Sequence, residues 1–205
     1  MFCMEDYKQK TKDLYDEYAK NFQKRTEGYL KKYLLKDANL FIQSLNGVDV
    51  LDIGSGSGRD SSYFKKRGLN PLCVDISQTM IDICRERGLQ AKVMDIENLK
   101  FPDSSFDGVW AHTSLLHVPK RNFGSVLKKI SSILKEEGIF YIGMKEGNYD
   151  GMEEDPKYKG KQRYNALYTE DEVKREIEEH FVIIHYSKIE IDGSRTYFNY
   201  LCRKK

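Results

Sequence analysis

The chain has 205 residues, enough to bury a sizeable core in one domain, and its 34 basic and 32 acidic side chains leave a formal net charge of +2. A charge so near neutral gives no general attraction for nucleic acid, and an aromatic content of 12% excludes a disordered composition. The four cysteines form no CxxC pair, which argues against a zinc or redox site. The first residues contain no apolar signal region and no apolar run approaches about 18 residues, so we expect a reduced, cytoplasmic protein with no metal.

Two amphipathic helices are predicted ahead of the first strand. Residues 5–24 are polar apart from one apolar stripe at helical spacing. A second helix is predicted from about Glu27 to Leu45, where Asn46-Gly47 ends it. No strand is predicted before Val48, so residues 1–46 form a helical appendage to a single domain spanning 1–205. The apolar stripe consists of Leu14, Tyr15, Tyr18, Ala19 and Phe22.

The chain is organised around residues 48–60, which read V-D-V-L-D-I-G-S-G-S-G-R-D. The apolar run from Val48 to Ile53 predicts a strand buried on both faces. Three glycines follow at every second position, and Arg59 begins a helix. A glycine loop between a strand and a helix directs free backbone N–H groups and the helix dipole at one point, which suits a carboxylate or a phosphate.

The residues around this loop discriminate between its possible ligands. The dinucleotide fingerprint G-x-G-x-x-G requires glycine at position 59, which is Arg59, and no Walker-type phosphate motif is present. Asp52, just before the loop, would repel a pyrophosphate and attract a cation. The sequence therefore favours a ligand that carries both an ammonium and a carboxylate, and a loop that serves only packing is the weaker interpretation.

Four more strands are predicted to alternate with helices, which indicates a parallel sheet. Asp75 ends the second strand 19 residues after Gly56, close to the spacing of about 20 at which an acid can bind ribose hydroxyls. Ligands bind beyond the carboxyl ends of such strands, where Asp52, Gly54, Asp75, Asp95 and His112 all fall. The predicted strands are 71–76, 90–95, 106–112 and 139–144, and the predicted helices are 59–67, 77–87 and 119–135.

Residues 146–205 are predicted to differ from this alternation. Residues 146–168 mix glycines with an acidic and a basic patch, which predicts a long substrate loop. Arg163 and Tyr164 within it would either line an acceptor pocket or form a solvated face. Thr169 with Glu172 predicts a capping box that begins a helix, and strands 181–191 and 195–203 are joined through a tight Asp-Gly turn. The fold class expected is α/β: a three-layer αβα sandwich on a seven-stranded, mostly parallel sheet with an antiparallel C-terminal hairpin strand.

These motifs together resemble the class I S-adenosylmethionine-dependent methyltransferases of the small single-domain type. The resemblance implies a Rossmann-like fold, S-adenosylmethionine as cofactor, S-adenosylhomocysteine as product and residues 47–145 as the cofactor-binding half. It covers residues from about 13 to the end, apart from 146–168. The matching segments are V-L-D-I-G-S-G-S-G (50–58), C-V-D-I-S (73–77), V-M-D-I-E (93–97), F-D-G-V-W-A-H-T-S-L-L-H-V (106–118) and the lid-like Y-D-E-Y-A-K-N-F (15–22).

The resemblance also implies roles for individual residues. The glycine loop would meet the methionine moiety, with Asp52 near its ammonium, and Asp75 would accept hydrogen bonds from both ribose hydroxyls. Asp95 would accept from the adenine amine. Two isoleucines would flank the ring, two residues at the end of the fourth strand would pass beneath the sulfonium, and Tyr15 or Tyr18 would close over the methionine end. The cofactor-binding set is Tyr15, Tyr18, Asp52, Gly54, Ser55, Gly56, Ser57, Gly58, Arg59, Asp75, Ile76, Asp95, Ile96, Ala111 and His112.

Methyl transfer from a sulfonium is an in-line displacement that requires positioning and exclusion of water more than a protein nucleophile. A general base is needed if the acceptor is a hydroxyl or an ammonium, and His117 and His112 are the candidates, each with a structural role as the alternative. A-H-T-S (111–114) stands where methyltransferases of exocyclic amines carry [DNS]-P-P-[YF]. A small-molecule acceptor on O, N or S is therefore favoured over RNA or protein. A non-catalytic cofactor-binding partner subunit stays open, as does a monomer or homodimer, and a dehydrogenase is the most distant alternative.

Overall fold

The computed structural model describes residues 6–205, and its central sheet confirms the predicted fold class. Seven strands lie in the order β3-β2-β1-β4-β5-β9-β8, and a separate two-stranded sheet pairs β6 with β7. The strands are β1 (Asp49–Ile53), β2 (Asn70–Asp75), β3 (Gln90–Val93), β4 (Phe106–His112), β5 (Leu134–Lys145), β6 (Tyr149–Glu154), β7 (Gln162–Leu167), β8 (Phe181–Ile191) and β9 (Arg195–Lys204).

The first five strands run parallel, with β1 at the centre between β2 and β4. Antiparallel pairing begins at β9, which lies between β5 and β8. Val50 and Ile53 of β1 are fully buried, as the apolar run predicted. Val48 is half exposed because it precedes the strand, and Val93 is exposed because β3 is an edge strand. The reversal of strand order at β1 and β4 is where parallel sheets bind ligands.

Helices cover both faces of the sheet. The predicted caps are confirmed: Ser77 accepts from the Met80 backbone amide, and Thr169 forms a capping box with Glu172. The predicted first helix is broken at Tyr18, and the second contains a π-helical turn, Leu30–Leu34. No helix within residues 6–205 is long and apolar enough to cross a membrane. The helices are α1 (Asp6–Glu17), α2 (Ala19–Thr26), α3 (Leu35–Ser44), α4 (Arg59–Lys66), α5 (Gln78–Glu86), α6 (Lys120–Ile133) and α7 (Glu170–Glu178).

Residues 146–168 form a hairpin of β6 and β7 where the sequence predicted a loop. Tyr164, Asn165 and Ala166 are all buried, so the middle of β7 is covered on both faces rather than on one. The Tyr164 ring lies 4.8 Å from that of Tyr7 on α1. The strand therefore depends on burial against α1, which the local sequence does not reveal.

Candidate functional site

A cavity of about 720 Å³ lies at the carboxyl edge of the sheet, within the range of about 300–1,000 Å³ typical of small-molecule sites. It is enclosed by the N-terminal helices, the glycine loop, the ends of β2, β4 and β5, the β6–β7 hairpin and the β8–β9 turn. Twelve of the sixteen different predicted site residues line it. They are Tyr15, Asp52, Gly54, Ser55, Gly56, Ser57, Arg59, Asp75, Ile76, Ile96, His112 and His117.

Four predicted site residues lie outside this lining. Tyr18 stacks its ring on Tyr158, with centroids 4.0 Å apart. Gly58 and Ala111 face the packed interior rather than the cavity. The carboxylate of Asp95 accepts from the Lys8 ammonium at 2.7 Å and from the backbone amide at position 97. Asp95 is thus already hydrogen-bonded to α1 and to its own turn, because α1 lies across the end of β3.

The glycine loop separates into a packed side and an open side. Gly54 has φ +64°, and a Cβ atom there would lie 2.3 Å from Cβ of Ser114. Gly56 has φ +53°, and a Cβ atom there would meet no atom within 4 Å. Gly54 therefore allows close packing of the loop on the segment after β4, whereas Gly56 leaves room in the cavity wall. The hydroxyl of Ser114, beside this wall, is buried and has no hydrogen-bond partner among the described residues.

Asp75 at the end of β2 is held by the loop it faces. Its carboxylate accepts from the Gly56 and Ser77 backbone amides, each at 2.9 Å. Burial raises the pKa of Asp75 to about 6, although these two amides oppose the shift. A carboxylate has about four acceptor positions, so capacity remains for donors from a ligand in the cavity.

Asp52 and Asp60 are neighbouring buried acids in different electrostatic situations. Burial raises the pKa of Asp52, whose carboxylate accepts from the Ser61 hydroxyl at 2.7 Å. Burial also opposes ionisation of Asp60, but Arg59 outweighs it and holds the pKa of Asp60 below its usual range. Arg59 donates to both Asp60 oxygens, at 2.6 and 2.8 Å, and the indole of Trp110 donates to one of them at 3.0 Å. Asp60 is therefore satisfied, whereas Asp52 lines the cavity and forms no ion pair within residues 6–205.

His117 is fixed in one tautomer by its two neighbours. Its Nδ1 lies 2.6 Å from the carbonyl oxygen of Tyr164, which can only accept, so Nδ1 carries the proton. Nε2 is then the basic nitrogen, and it accepts from the Tyr15 hydroxyl at 2.8 Å. Burial, with Arg163 nearby, lowers the pKa of His117 to about 3. His117 is a neutral acceptor at physiological pH.

His112 lies at the end of β4 with its imidazole over β5. A Cβ atom at Gly143 would lie 2.6 Å from Cδ2 of this ring, so glycine makes room for it. Nε2 of His112 is buried without a hydrogen-bond partner among the described residues. Burial lowers the pKa of His112 to about 3. Like His117, it presents a neutral nitrogen at the cavity.

The β6–β7 hairpin contributes side chains whose placement the sequence left open. Arg163 pairs with Asp155 at 3.2 Å and donates to the Tyr15 hydroxyl at 3.3 Å. Tyr164 is 7% exposed and donates its hydroxyl to Asp150 at 2.8 Å. Arg163 therefore lines the cavity and Tyr164 is buried beside it, so the solvated alternative is wrong for both.

Several lining residues were missed by sequence reasoning. Tyr29 and Tyr33 lie on the predicted second helix and Lys145 follows a predicted apolar strand, and none of the three belongs to a motif. Arg195 and Tyr197 reach the cavity because β9 starts at the edge where β5 ends. The available signal was the predicted C-terminal hairpin, whose turn must lie at one edge of the sheet.

Comparison with known proteins gives consistent results. Residues 51–142 match the family model described as methyltransferase domain. The chain is 30% identical over 105 residues to the methyltransferase GfsG of Streptomyces halstedii, covering 47% of this chain and 37% of that protein. It is 29% identical over 126 residues to phosphoethanolamine N-methyltransferase 1 of Zea mays, covering 57% of this chain and 25% of that protein. The match thus spans less than two fifths of either curated relative.

Solved structures share the fold. The 1,6-didemethyltoxoflavin-N1-methyltransferase of Burkholderia thailandensis, crystallised with 1,6-didemethyltoxoflavin and S-adenosylhomocysteine, has a TM-score of 0.76 at 19% identity, covering 100% of this chain and 92% of that one. A S-adenosylmethionine-dependent methyltransferase of Methanosarcina mazei has a TM-score of 0.71 at 21% identity, covering 80% and 96%. At these identities the likeness establishes the fold.

Proposed function

We propose that the chain transfers a methyl group from S-adenosylmethionine to O, N or S of a small-molecule acceptor, since residues 51–142 match the methyltransferase domain family and the fold is that of S-adenosylmethionine-dependent methyltransferases. The observation that carries the proposal is the open side of the glycine loop. Gly56 leaves space in the cavity wall beside the Asp75 carboxylate, which retains acceptor capacity. The buried, unpartnered hydroxyl of Ser114 adds a donor that a polar ligand would satisfy.

The residues at this wall fit the groups that S-adenosylmethionine carries. Asp75 would accept from the ribose hydroxyls, the glycine loop would meet the methionine moiety, and Asp52 would attract the ammonium. Ile76 and Ile96 line the same end and would pack on the adenine. When bound there, S-adenosylmethionine supplies an electrophilic methyl carbon on a sulfonium, which keeps the electron pair of the broken carbon–sulfur bond.

His117 is the proposed general base when the acceptor loses a proton. Its Nε2 is the unprotonated nitrogen, and the Tyr164 carbonyl holds the ring in that tautomer. The proton from the acceptor would pass to Nε2 directly or through the Tyr15 hydroxyl, which already donates to it. His112 has an unpartnered Nε2 at the same cavity and is the alternative position for contact with the acceptor.

The cofactor is tested by calorimetry with S-adenosylmethionine, S-adenosylhomocysteine and NAD. We expect both sulfur nucleosides to bind and NAD to give no measurable heat, because Asp52 and Arg59 stand where a pyrophosphate would need free amides and a glycine. NAD binding tighter than S-adenosylmethionine would overturn the assignment.

The acceptor class is tested by transfer of a tritiated methyl group into a metabolite extract, total RNA and total protein from one source. Label in the metabolite fraction is the expected result. Label only in RNA or protein would support the macromolecular alternative. Cofactor binding with no label in any fraction would favour a non-catalytic cofactor-binding subunit.

General-base catalysis is tested with His117→Gln. We expect kcat to fall by about 100-fold or more, the usual contribution of a positioned base, while the affinity for S-adenosylhomocysteine stays within a few-fold. An unchanged kcat would assign His117 a structural role.

A further inference from the structure

The part of the cavity at the ends of β4 and β5 and the start of β9 differs in chemistry from the part around Asp75. Tyrosine rings and basic side chains replace the acids of the glycine-loop end, and we call this part the tyrosine lobe. It is formed by Tyr29, Lys32, Tyr33, His112, Lys145, Arg195 and Tyr197, all of which line the cavity.

Strand register determines which side chains share this lobe. His112 pairs with Gly143, and Lys145 lies two residues farther along β5, so its side chain projects from the same face of the sheet. Tyr197 is directly opposite Lys145 in the antiparallel β5–β9 pair, which places the two side chains side by side. Lys145 and Tyr197 therefore lie next to the His112 imidazole, two residues farther toward the carboxyl end of β5.

The rings of the lobe are arranged around this imidazole. The Tyr29 centroid lies 5.5 Å from that of His112 and 4.8 Å from that of Tyr33. The hydroxyls of Tyr29 and Tyr197 make no hydrogen bond within residues 6–205. The lobe thus offers aromatic faces for a flat or apolar group and two hydroxyls free to bind a polar one.

The basic side chains of the lobe outnumber the acid beside them, since Lys32, Lys145 and Arg195 line it together with Asp192. Lys145 is half buried and has no carboxylate or hydrogen-bond partner in the described part of the chain. Among the described residues, Arg195 forms its ion pair with Asp192, three residues away, and both side chains are largely exposed. An exposed ion pair contributes little free energy, so Arg195 can bind a ligand in place of Asp192. Asp60, a buried acid that also lines the cavity, is already hydrogen-bonded to Arg59 and Trp110.

We propose that the methyl acceptor is a small carboxylate with a planar or apolar body, its charge bound by Lys145 and Arg195 and its body lying against Tyr29 and Tyr197. The assignment deepens the proposed function and depends on it, since the lobe adjoins His112 and His117 in one continuous cavity. A cationic acceptor would meet an unpaired ammonium, and a neutral one would leave that ammonium unsatisfied. Arginine and lysine with carboxylate form the stronger class of hydrogen bonds, which also fixes orientation.

The test compares three probes of one shape that differ in charge: 4-hydroxyphenylacetate, 4-hydroxyphenylacetamide and tyramine. Binding is measured by calorimetry on the protein saturated with S-adenosylhomocysteine, so the readout does not require turnover. We expect the carboxylate to bind at least tenfold tighter than the amide and tyramine to bind weakest. Lys145→Gln should remove the preference for the carboxylate, and Lys145→Glu should turn it toward tyramine.

Lys174→Gln is the matched control, because Lys174 is an exposed lysine on α7 outside the cavity. It should leave the ranking of probes unchanged. Equal affinities for carboxylate and amide, no binding of the carboxylate, or a preference that survives Lys145→Gln and Lys145→Glu in folded protein would overturn the inference. Failure of S-adenosylhomocysteine itself to bind would overturn the proposed function instead, so the two failures are distinguishable.

Discussion

Asp75 combines two properties that usually conflict: it is buried, and it faces an open cavity. Burial makes its charged form costly, which raises its pKa to about 6. The same burial strengthens any hydrogen bond that it accepts from a ligand. Asp75 is therefore the residue at which the cofactor assignment is most directly tested.

We expect Asp75→Ala to weaken binding of S-adenosylmethionine by about 1 to 3 kcal/mol, because the ribose hydroxyls and the Gly56 amide lose their acceptor. Calorimetry on the purified variant measures the change. Asp103→Ala serves as the control, since Asp103 is an exposed acid away from the cavity. Unchanged affinity in Asp75→Ala would remove Asp75 from the site.

The raised pKa of Asp75 also predicts a pH dependence of binding. Donors from a ligand favour the ionised carboxylate, so binding should release a proton near pH 6. Affinity for S-adenosylmethionine should rise by up to about tenfold per pH unit from pH 5 toward 6 and level off above 7. Calorimetry across this range measures it, and Asp75→Ala should flatten the profile. A flat profile in the unmodified protein would contradict the role given to Asp75.

Residue positions at the ends of β1, β2 and β4 could be predicted because parallel strands end at a common edge. Asp52, Asp75 and His112 therefore line the cavity as the sequence predicted. Asp95 also ends near this edge, yet Lys8 binds its carboxylate. That pairing depends on where α1 packs, which is a tertiary contact with no local signal.

At the scale of elements, two glycines of the same loop have different roles: Gly54 allows close packing, and Gly56 leaves space in the cavity wall. We expect Gly54→Ala to lower the melting temperature strongly, because its Cβ atom would overlap Ser114. Gly56→Ala should cost only the strain of a positive φ, of order 1 kcal/mol, but should weaken cofactor binding by tenfold or more as its methyl group enters the cavity. Thermal unfolding and calorimetry separate the two effects.

Gly160→Ala is the matched control for backbone strain, since Gly160 has φ +76° and open space around it but does not line the cavity. It should resemble Gly56→Ala in stability and the unmodified protein in binding. If Gly56→Ala binds S-adenosylmethionine normally, the open side of the loop does not face the cofactor.

Elements with strong local signals were predicted well, and those formed by packing were not. β4 has the predicted bounds, and the caps at Ser77 and Thr169 are as expected. β6 and β7 were missed because their residues are mostly polar, and the polar Asn165 is buried between Tyr164 and Ala166. Tyr164 packs on Tyr7, and Tyr158, between the two strands, stacks on Tyr18; these partners are far apart in sequence.

At the scale of the whole molecule, two buried neutral histidines make stability depend on pH. The pKa values of His112 and His117 are lowered from 6.5 to about 3, so stability is full above pH 6.5 and is lost as pH falls toward 3. Each contributes up to about 1.4 kcal/mol per pH unit in this window. Asp75, with its raised pKa, opposes the histidines between about pH 4 and 6, and Asp52, whose pKa burial also raises, opposes them above about pH 4, because the contribution of each acid is lost as pH rises.

We therefore expect His117→Gln to lose less stability than the unmodified protein between pH 6.5 and about 4, measured by denaturant unfolding of the cofactor-free protein. The single tryptophan, Trp110, is fully buried and reports unfolding by fluorescence. An identical loss in His117→Gln would mean that His117 is protonated in the folded protein.

The order of the whole sheet follows from alternation and connection rules that act over tens of residues, which is why the fold class could be predicted. The division of the cavity into an acidic end and a basic, tyrosine-lined end could not. It requires Lys145 and Tyr197 to be partners across β5 and β9, a register that no segment of the sequence specifies alone.

The N-terminal helix α1 crosses the cavity and is hydrogen-bonded to other elements at several points. Asp16 accepts from the Ser77 hydroxyl and the Thr79 amide, Lys8 reaches the turn after β3, and Thr11 accepts from the Tyr164 amide. A nucleoside bound in the cavity beneath α1 would be unable to leave until these hydrogen bonds break together. We expect the product nucleoside to dissociate at the rate at which α1 moves away from the cavity, so that product release rather than methyl transfer limits kcat.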